Sequence, residues 1–406
     1  MLEIKPIFNS LFRSKAGAIL LVLQIAITLA IVSNSLSIIK DRMDYLQTDS
    51  GYSEQDLFQI STSVFAKDTD LLYLLEETER TLLGMNGVVN ASFMREVPLS
   101  GSGSSSNFGN KPLDQNESED YRSVNTAYTT TPASIFDTLD MTLIEGRFYT
   151  DSEVLKFNGD GGDLPTQVVV SKHYLDEIYP DGDGLGQFIY IGNSPIEIIG
   201  VVERAMGPWP KSNRPLNFAF FPIVDATGSQ KFVVRTEPDM REQVMNEVEE
   251  VLLAQFNQRV IMNIQGLDDA KREYQASDIL MLRMLVILIV LLVSITALGI
   301  FGMTVFNINK RTKQIGTRRA LGARKSHIIR YFLVENSILC ISGMVLGAIG
   351  AIYLGQMLFE HYSVPAFSAM YVVYTAIFVL IISLLSVLFP ANRAANISPS
   401  IATRSV

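Results

Sequence analysis

Cysteine, histidine and, over four long stretches, charge of either sign are what this chain of 406 residues has least of. The one cysteine, Cys340, lies inside an apolar run, which excludes an intrachain disulfide. The motifs H-E-x-x-H, C-x-x-C and G-x-S-x-G are missing, so the sequence offers no zinc-peptidase, dithiol or serine-hydrolase centre. Acidic residues are scarce outside one region. Residues 40–283 hold 20 Lys+Arg and 39 Asp+Glu, a net of −19, whereas the rest holds 13 and 3, a net of +10; together they make the overall −9. The acidic region reads as a water-exposed domain, and the basic remainder as something different in kind.

Four stretches lack Asp, Glu, Lys and Arg altogether: residues 16–39, 284–309, 336–359, and a span within 361–392 that starts near 369 and is closed by Pro390. Each is long enough to cross a bilayer, which takes about 20 residues. The first follows Lys5, Arg13 and Lys15, as a secretory signal would. Its uninterrupted length exceeds the usual apolar core of about 7 to 15 residues, so it reads as a retained span. Residues 1–15 place Ile4, Ile7, Phe8, Leu11 and Phe12 on one helical face. This suits either an amphipathic helix lying at the membrane surface or an extension of the first span.

Eight of the basic residues crowd into residues 310–335, KRTKQIGTRRALGARKSHIIRYFLVE, against the single acid Glu335. Lys and Arg are retained on the cytoplasmic side of spans, so this loop is expected inside. The 40–283 domain then lies outside, and the N-terminus and the 391–406 tail inside. A large outside domain without disulfides leans bacterial. The three histidines, His173, His327 and His361, fall in different compartments of this topology and cannot share a site.

Within the acidic region, an extended stretch at 56–61, a helix at 70–83 and a strand at 88–93 are echoed late by a strand at 231–235, a helix at 238–255 and a strand at 259–264. Two β-α-β units at opposite ends of one domain point to a pair of similar lobes folded together in the split, ferredoxin-like manner. Between them, residues 100–120 are rich in Ser, Gly and Asn and read as a mobile loop. Its GSGSSSNFGNK lacks the G-x-x-x-x-G-K-[ST] spacing of a phosphate-binding loop. Short strands follow at 167–170, 187–191, 196–202 and 217–223, with turns at 181–186 and around 208–215. DGDGLG at 181–186 lacks the twelve-residue spacing of a calcium loop and reads as a turn. Helix resumes at 267–283 and is expected to run on into the second span. The third span sets Gly343, Gly347, Ala351 and Gly355 four residues apart, a face on which helix backbones can approach closely. Gln24 and Asn307, the main large polar side chains of the first two spans, are expected to hydrogen-bond across helices or sit near an interface. The fold class is an α+β membrane protein, with four transmembrane helices and a large extracytoplasmic mixed α/β domain between the first two.

The basic loop, KRTKQIGTRRALGA, resembles the [ER]-R-x-[KR]-E-I-G-x-[RK]-[RK]-A-[LI]-G-A signature of the MacB-like and FtsX-like permeases of bacterial ABC systems. The tail FPANRAANISPSIATR is similar to that family's ending, and LIEGRFYTDSE and SPIEIIGVVE resemble phrases of its core domain. Gln314 stands where the family usually has Glu, and Ala402-Thr403-Arg404 replaces the usual Ala-Leu-Arg. The resemblance implies a non-catalytic permease of the inner membrane, with porter-like lobes and an inserted β-rich lobe outside. It implies docking of a separate ATP-binding subunit on Ile315, Gly316, Arg318, Arg319, Ala320, Leu321 and Gly322. ATP and Mg would then sit on that partner and no cofactor on this chain, while a second permease copy or paralogue completes a dimer. A periplasmic adaptor and an outer-membrane duct are the further implied partners, with no nucleic acid. The function implied is ATP-driven expulsion of a peptide, antibiotic or similar substrate. Lipoprotein extraction, or control of an envelope hydrolase and sensing of peptides, are the alternatives.

Overall fold

The computed structural model describes residues 15–66, 68–159, 161–362 and 368–397. The amphipathic segment expected before residue 15 and the end of the tail lie outside these. The chain divides into two compact units, Gln47–Ser277 and a helical unit formed by Met1–Leu46 with Asp278–Val406. Helix α1 (Lys15–Leu46) belongs to the helical unit.

In the first unit, β1 (Leu57–Val64) leads to α2 (Leu71–Leu83) and β2 (Val88–Phe93). Asp70 starts α2: its carboxylate accepts from the backbone of Leu72 and Tyr73, both at 3.1 Å, satisfying two donors that the first turn leaves unpaired. Leu74, Leu75, Thr78 and Leu82 then form the buried stripe. A long insertion follows: β3 (Ser104–Gly109), β4 (Ser123–Thr131), α3 (Ile135–Thr138), β5 (Leu143–Gly146), β6 (Leu155–Phe157), β7 (Gln167–Ser171), α4 (Lys172–Ile178), β8 (Phe188–Ile191), β9 (Ser194–Val202) and β10 (Phe218–Asp225). The chain then returns with β11 (Ser229–Thr236), α5 (Arg241–Gln255), which buries Val244, Val248 and Leu252, and β12 (Arg259–Gly266).

The two β-α-β units do not make two lobes. They interleave into one antiparallel sheet of order β12-β1-β11-β2, in which β11 lies between the parallel pair β1 and β2. A β-α-β unit leaves room for one strand between its own two, and each unit fills the other's gap. The insertion closes on itself: β4, β3, β8, β9, β7 and β10 form a ring completed by the β10–β4 pairing, with β5 and β6 attached to β9 and β10. Phe108, Tyr174, Ile189, Ile198 and Phe221 fill its core.

The Ser- and Gly-rich stretch expected to be a mobile loop contains β3, paired with β4 from Ser104–Tyr128 to Gly109–Ser123. Backbone groups make a ladder whatever the side chains, and one buried anchor, Phe108, fixes the register.

In the helical unit, α6 (Leu267–Lys310) is followed by α7 (Thr312–Ala320), α8 (Lys325–Tyr362) and α9 (Met370–Ala395); the first residues of α6 belong to the other unit. Helices α1, α6, α8 and α9 are long and apolar enough to cross a membrane. The small residues of α8 meet α1. A methyl group on Gly347 would stand 2.7 Å from the Ala26 carbonyl oxygen, and one on Gly343 would stand 2.8 Å from Ile25 Cβ; Ala351 and Gly355 are buried on the same face. Polar side chains bridge the helices. Thr28 and Thr296 hydroxyls lie 2.8 Å apart, Asn34 Nδ2 donates to the Ala351 carbonyl at 3.0 Å, and Asn336 Nδ2 donates to Ser383 Oγ at 2.6 Å. Gln24 lies against Gly299, and Asn307 is buried. Pro390, expected to close the last span, sits inside α9, which continues to Ala395. The proline removes one backbone donor, and packing of Ala391, Ala394 and Ala395 in the helical core carries the helix past it.

Candidate functional site

The basic stretch is a helical hairpin. At its centre Gly322 adopts φ +90°, in the left-handed region that favours glycine, and ends α7. Around it Leu321 N–H donates to the Thr317 carbonyl at 3.0 Å, Gly322 N–H to Arg319 at 3.1 Å and Ala323 N–H to Arg318 at 3.0 Å. Three orphan carbonyls of the helix end are thereby satisfied. After a break of four residues α8 begins at Lys325, eleven residues before the apolar run that starts at 336.

The residues of α7 sort by helical period. Ile315 and Gly316 are buried and Arg319 is half-buried, while Lys313, Gln314, Thr317, Arg318, Ala320 and Leu321 are exposed. Ile315 packs in one apolar cluster with Ile328 and Phe332 of α8 and Ala391, Ala394 and Ala395 of α9. Lys325 Nζ donates to Asn396 Oδ1 at 2.5 Å, so the residue just after α9 ties to the hairpin as well. Leu321 is 84% exposed at the tip, the highest exposure of any large apolar side chain among the described residues.

Arg311, between α6 and α7, makes a two-pronged pair with Glu335 of α8, Nη1 to Oε2 at 3.0 Å and Nη2 to Oε1 at 3.1 Å. Both side chains are largely buried, and this fork-to-fork geometry sets the angle between the two arms. Arg318 lies over the Tyr331 ring, 5.4 Å from its centroid. A cavity of about 40 Å³ lies beneath, lined by residues that include Arg311, Gln314, Ile315, Tyr331 and Phe332. The hairpin therefore has a fixed inner face and a cationic outer face carrying Lys310, Lys313, Arg318, Arg324, Lys325 and Arg330, with Leu321 at the tip.

The sequence-predicted set is thus divided. Arg318, Ala320, Leu321 and Gly322 are presented outward, whereas Ile315 and Gly316 hold the hairpin together. Arg319 does both, donating to the Ala323 carbonyl at 3.0 Å. Ile328, Tyr331, Phe332 and Glu335 lie outside the motif, and Arg311, its fixed Arg, was not among the expected docking residues. The signal for the ion pair was present in the lone acid among eight bases.

A second construction stands at the start of α6, within the first unit. Leu267 is buried in the core of the split-sheet lobe. Asp268 pairs with Arg241 at 2.6 Å and with Arg272, Arg241 also donates to the Glu54 carbonyl at 3.2 Å, and Lys271 reaches Glu54 at 2.6 Å. Apart from Arg272 these partners are mostly shielded from water, so the first turn of α6 is fastened to α5 and to Glu54 in the segment before β1.

Four membrane-length helices, a domain between the first two built on a split β-α-β sheet with an inserted barrel, and a basic hairpin between the second and third define a multi-pass membrane permease with a large extracytoplasmic domain. Residues 18–251 match the MacB-like periplasmic core domain and residues 286–399 the FtsX-like permease C-terminal region. The chain belongs to this MacB-like, FtsX-like ABC permease family.

Among curated relatives, a macrolide export ATP-binding/permease protein MacB of Yersinia pestis is 24% identical over 268 residues, 64% of this chain and 38% of that protein. The MacB protein of Pectobacterium atrosepticum is 26% identical over 245 residues, 58% of this chain and 38% of its own length. The chain spans about two-fifths of the length of the curated relatives it matches. Among solved structures, the periplasmic region of MacB from Actinobacillus actinomycetemcomitans is 17% identical, covering 57% of this chain and 98% of that one with a TM-score of 0.34. The extracellular domain of the ABC-type transporter YknZ from Gram-positive bacteria is also 17% identical, covering 50% and 100% with a TM-score of 0.32.

Proposed function

We propose that this permease takes up the motion of a cytoplasmic ABC ATPase through the hairpin at 311–335 and delivers it to the extracytoplasmic domain, which expels a substrate already outside the membrane. The observation that carries this reading is the division of the hairpin into a braced inner face and a cationic outer face tipped by Leu321. A loop serving topology alone requires basic residues but not the Arg311–Glu335 fork, the Ile315 anchor or the glycine cap. Density of Lys and Arg supports an inside placement for the hairpin, and with it both termini. In this reading ATP and Mg are held by the ATPase.

Transmission follows from continuity. Helix α6 runs unbroken over 44 residues, from the end of β12 to Lys310. The hairpin and the clamp of Asp268 and Lys271 are therefore joined by helix rather than by a loop. The second permease copy that the reading requires finds an uncovered face on α6, which buries 11% of its most apolar window against 28–33% for the other three helices. An adaptor and an outer-membrane duct would carry the substrate onward.

Reversing charge in Arg318→Glu/Arg319→Glu is expected to abolish co-purification with the ATPase while membrane insertion continues. Because Arg319 also braces the hairpin, Leu321→Asp serves as the variant confined to the outer face. Wild-type co-purification of both variants would contradict docking at this surface.

A further inference from the structure

The extracytoplasmic domain carries a cleft that neither the hairpin nor the transmission path uses. It opens where the inserted barrel meets the split-sheet lobe, and it consists of two adjoining cavities of about 390 and 290 Å³ that share Arg95, Glu96, Ser104 and Asp225. Volumes of this size are those of pockets that hold small organic molecules.

The larger cavity is aromatic on one side. Phe108, Tyr128 and Phe221 form a ring cluster with centroids 5.7 to 6.0 Å apart, and Phe157 adds a further wall. The lining also holds three carboxylates, Glu96, Asp163 and Asp225, and one cation, Arg95, and the adjoining cavity adds Lys231. Arg95 is divided between two of them, 3.3 Å from Asp225 Oδ2 and 3.8 Å from Glu96 Oε1. Glu96 is the best shielded, with 9% of its side chain exposed. Its Oε1 accepts from Ser104 Oγ at 2.9 Å, and its Oε2 is buried with no hydrogen-bond partner. A buried carboxylate oxygen without a donor is costly, and such groups call for an explanation. Burial raises the Glu96 pKa, and the hydrogen bonds from the Ser104 and Thr129 hydroxyls and the charges of Arg95 and Lys231 oppose that shift without cancelling it.

We infer that this cleft binds a small amphipathic molecule that carries a protonated amine on an aromatic or aliphatic body. The ammonium meets the carboxylates that line the cleft, Asp163, Asp225 and the accessible edge of Glu96, while the body lies against Phe108, Tyr128, Phe157 and Phe221. An ammonium beside a ring face and a carboxylate gains from both when water is displaced. The inference does not rest on the export reading, since a domain that senses a ligand would hold it in the same way.

The chain contains one tryptophan, Trp209, whose indole N–H donates to the Gly101 carbonyl at 3.0 Å, next to Ser102 and Gly103 of the cleft wall. Its fluorescence is therefore a built-in reporter. The full-length protein in lipid nanodiscs is titrated with 4-phenylbutylamine, and in parallel with uncharged 4-phenylbutanol. The expected result is a saturable change with the amine at concentrations about tenfold or more below any change with the alcohol. Glu96→Gln, which keeps the shape, is expected to weaken amine binding by about tenfold or more. Ser106→Phe, which leaves Glu96 in place and fills the cleft, is expected to remove it. Should Glu96→Gln fail to fold, Ser106→Phe and the amine–alcohol comparison decide. A signal that does not saturate, that is equal for amine and alcohol, or that survives Ser106→Phe unchanged overturns the inference.

Discussion

Arg311 and Glu335 show what single residues contribute to the hairpin. Each is largely removed from water, and each is tolerable there because the other satisfies it. Removing one partner leaves an uncompensated charge, so Arg311→Ala is expected to cost about 3 kcal/mol or more, read as a fall in melting temperature in detergent. The double variant Arg311→Met/Glu335→Leu should recover most of that loss. A second residue-scale expectation concerns Glu79. Its carboxylate accepts from Phe93 N–H at 2.5 Å, but burial pushes its pKa up to about 7 from an ordinary 4.5. The folded protein therefore holds a proton that the unfolded chain has released, and stability falls as pH rises from about 4.5 to about 7. Glu79→Gln should flatten that part of the stability profile, measured as melting temperature between pH 5 and 8. Neither group was legible in the sequence as more than a charge, because the pairing joins residues 24 apart across a turn and the Glu79 shift depends on what packs over it.

Elements were far easier to read than residues. The helix at 70–83 and the strand at 88–93 are legible because Asp70 caps, the Leu stripe has helical period, and Val88, Val89 and Phe93 favour an extended chain after the glycine at 87. The continuous helix from 267 into the second span is equally plain, since no Gly or Pro interrupts it before Gly299. The strands β3 and β4 escaped notice because Ser, Asn and Thr dominate them, and their pairing rests on backbone ladders and Phe108. The small-residue face of α8 carries its own test. Gly347→Ala should destabilise the bundle by about 1–3 kcal/mol, because the new methyl meets the Ala26 backbone at 2.7 Å. Gly350→Ala, whose methyl would stand 3.7 Å from Ala30 Cβ, should be neutral. Comparing their melting temperatures separates close backbone approach from mere tolerance of glycine in membrane helices. Helix α6 has a different test. Two glycines inserted after Met284 should leave ATP hydrolysis by the assembled complex largely intact and abolish substrate export; export at the normal rate would mean that α6 need not be stiff.

For the whole molecule, sequence patterning was sufficient to separate an acidic domain from a basic, lipid-spanning remainder, because charge and hydropathy act over tens of residues and do not depend on tertiary contacts. It could not show that the two β-α-β units close one sheet, since strand order is set by pairings between residues up to 208 positions apart, such as Phe58 with Gly266. Nor could it show which hairpin residues face outward, for which the Ile315 contacts with α8 and α9 are decisive. The account's central claim is that the outward face of this hairpin meets an ATPase inside the cell. A photo-reactive amino acid placed at Leu321 in the full-length protein, activated in native membranes and followed by mass spectrometry, tests it most directly. The account predicts a covalent adduct with an ATP-binding cassette protein, whereas adducts confined to lipid or to proteins of the outer face of the membrane would contradict it.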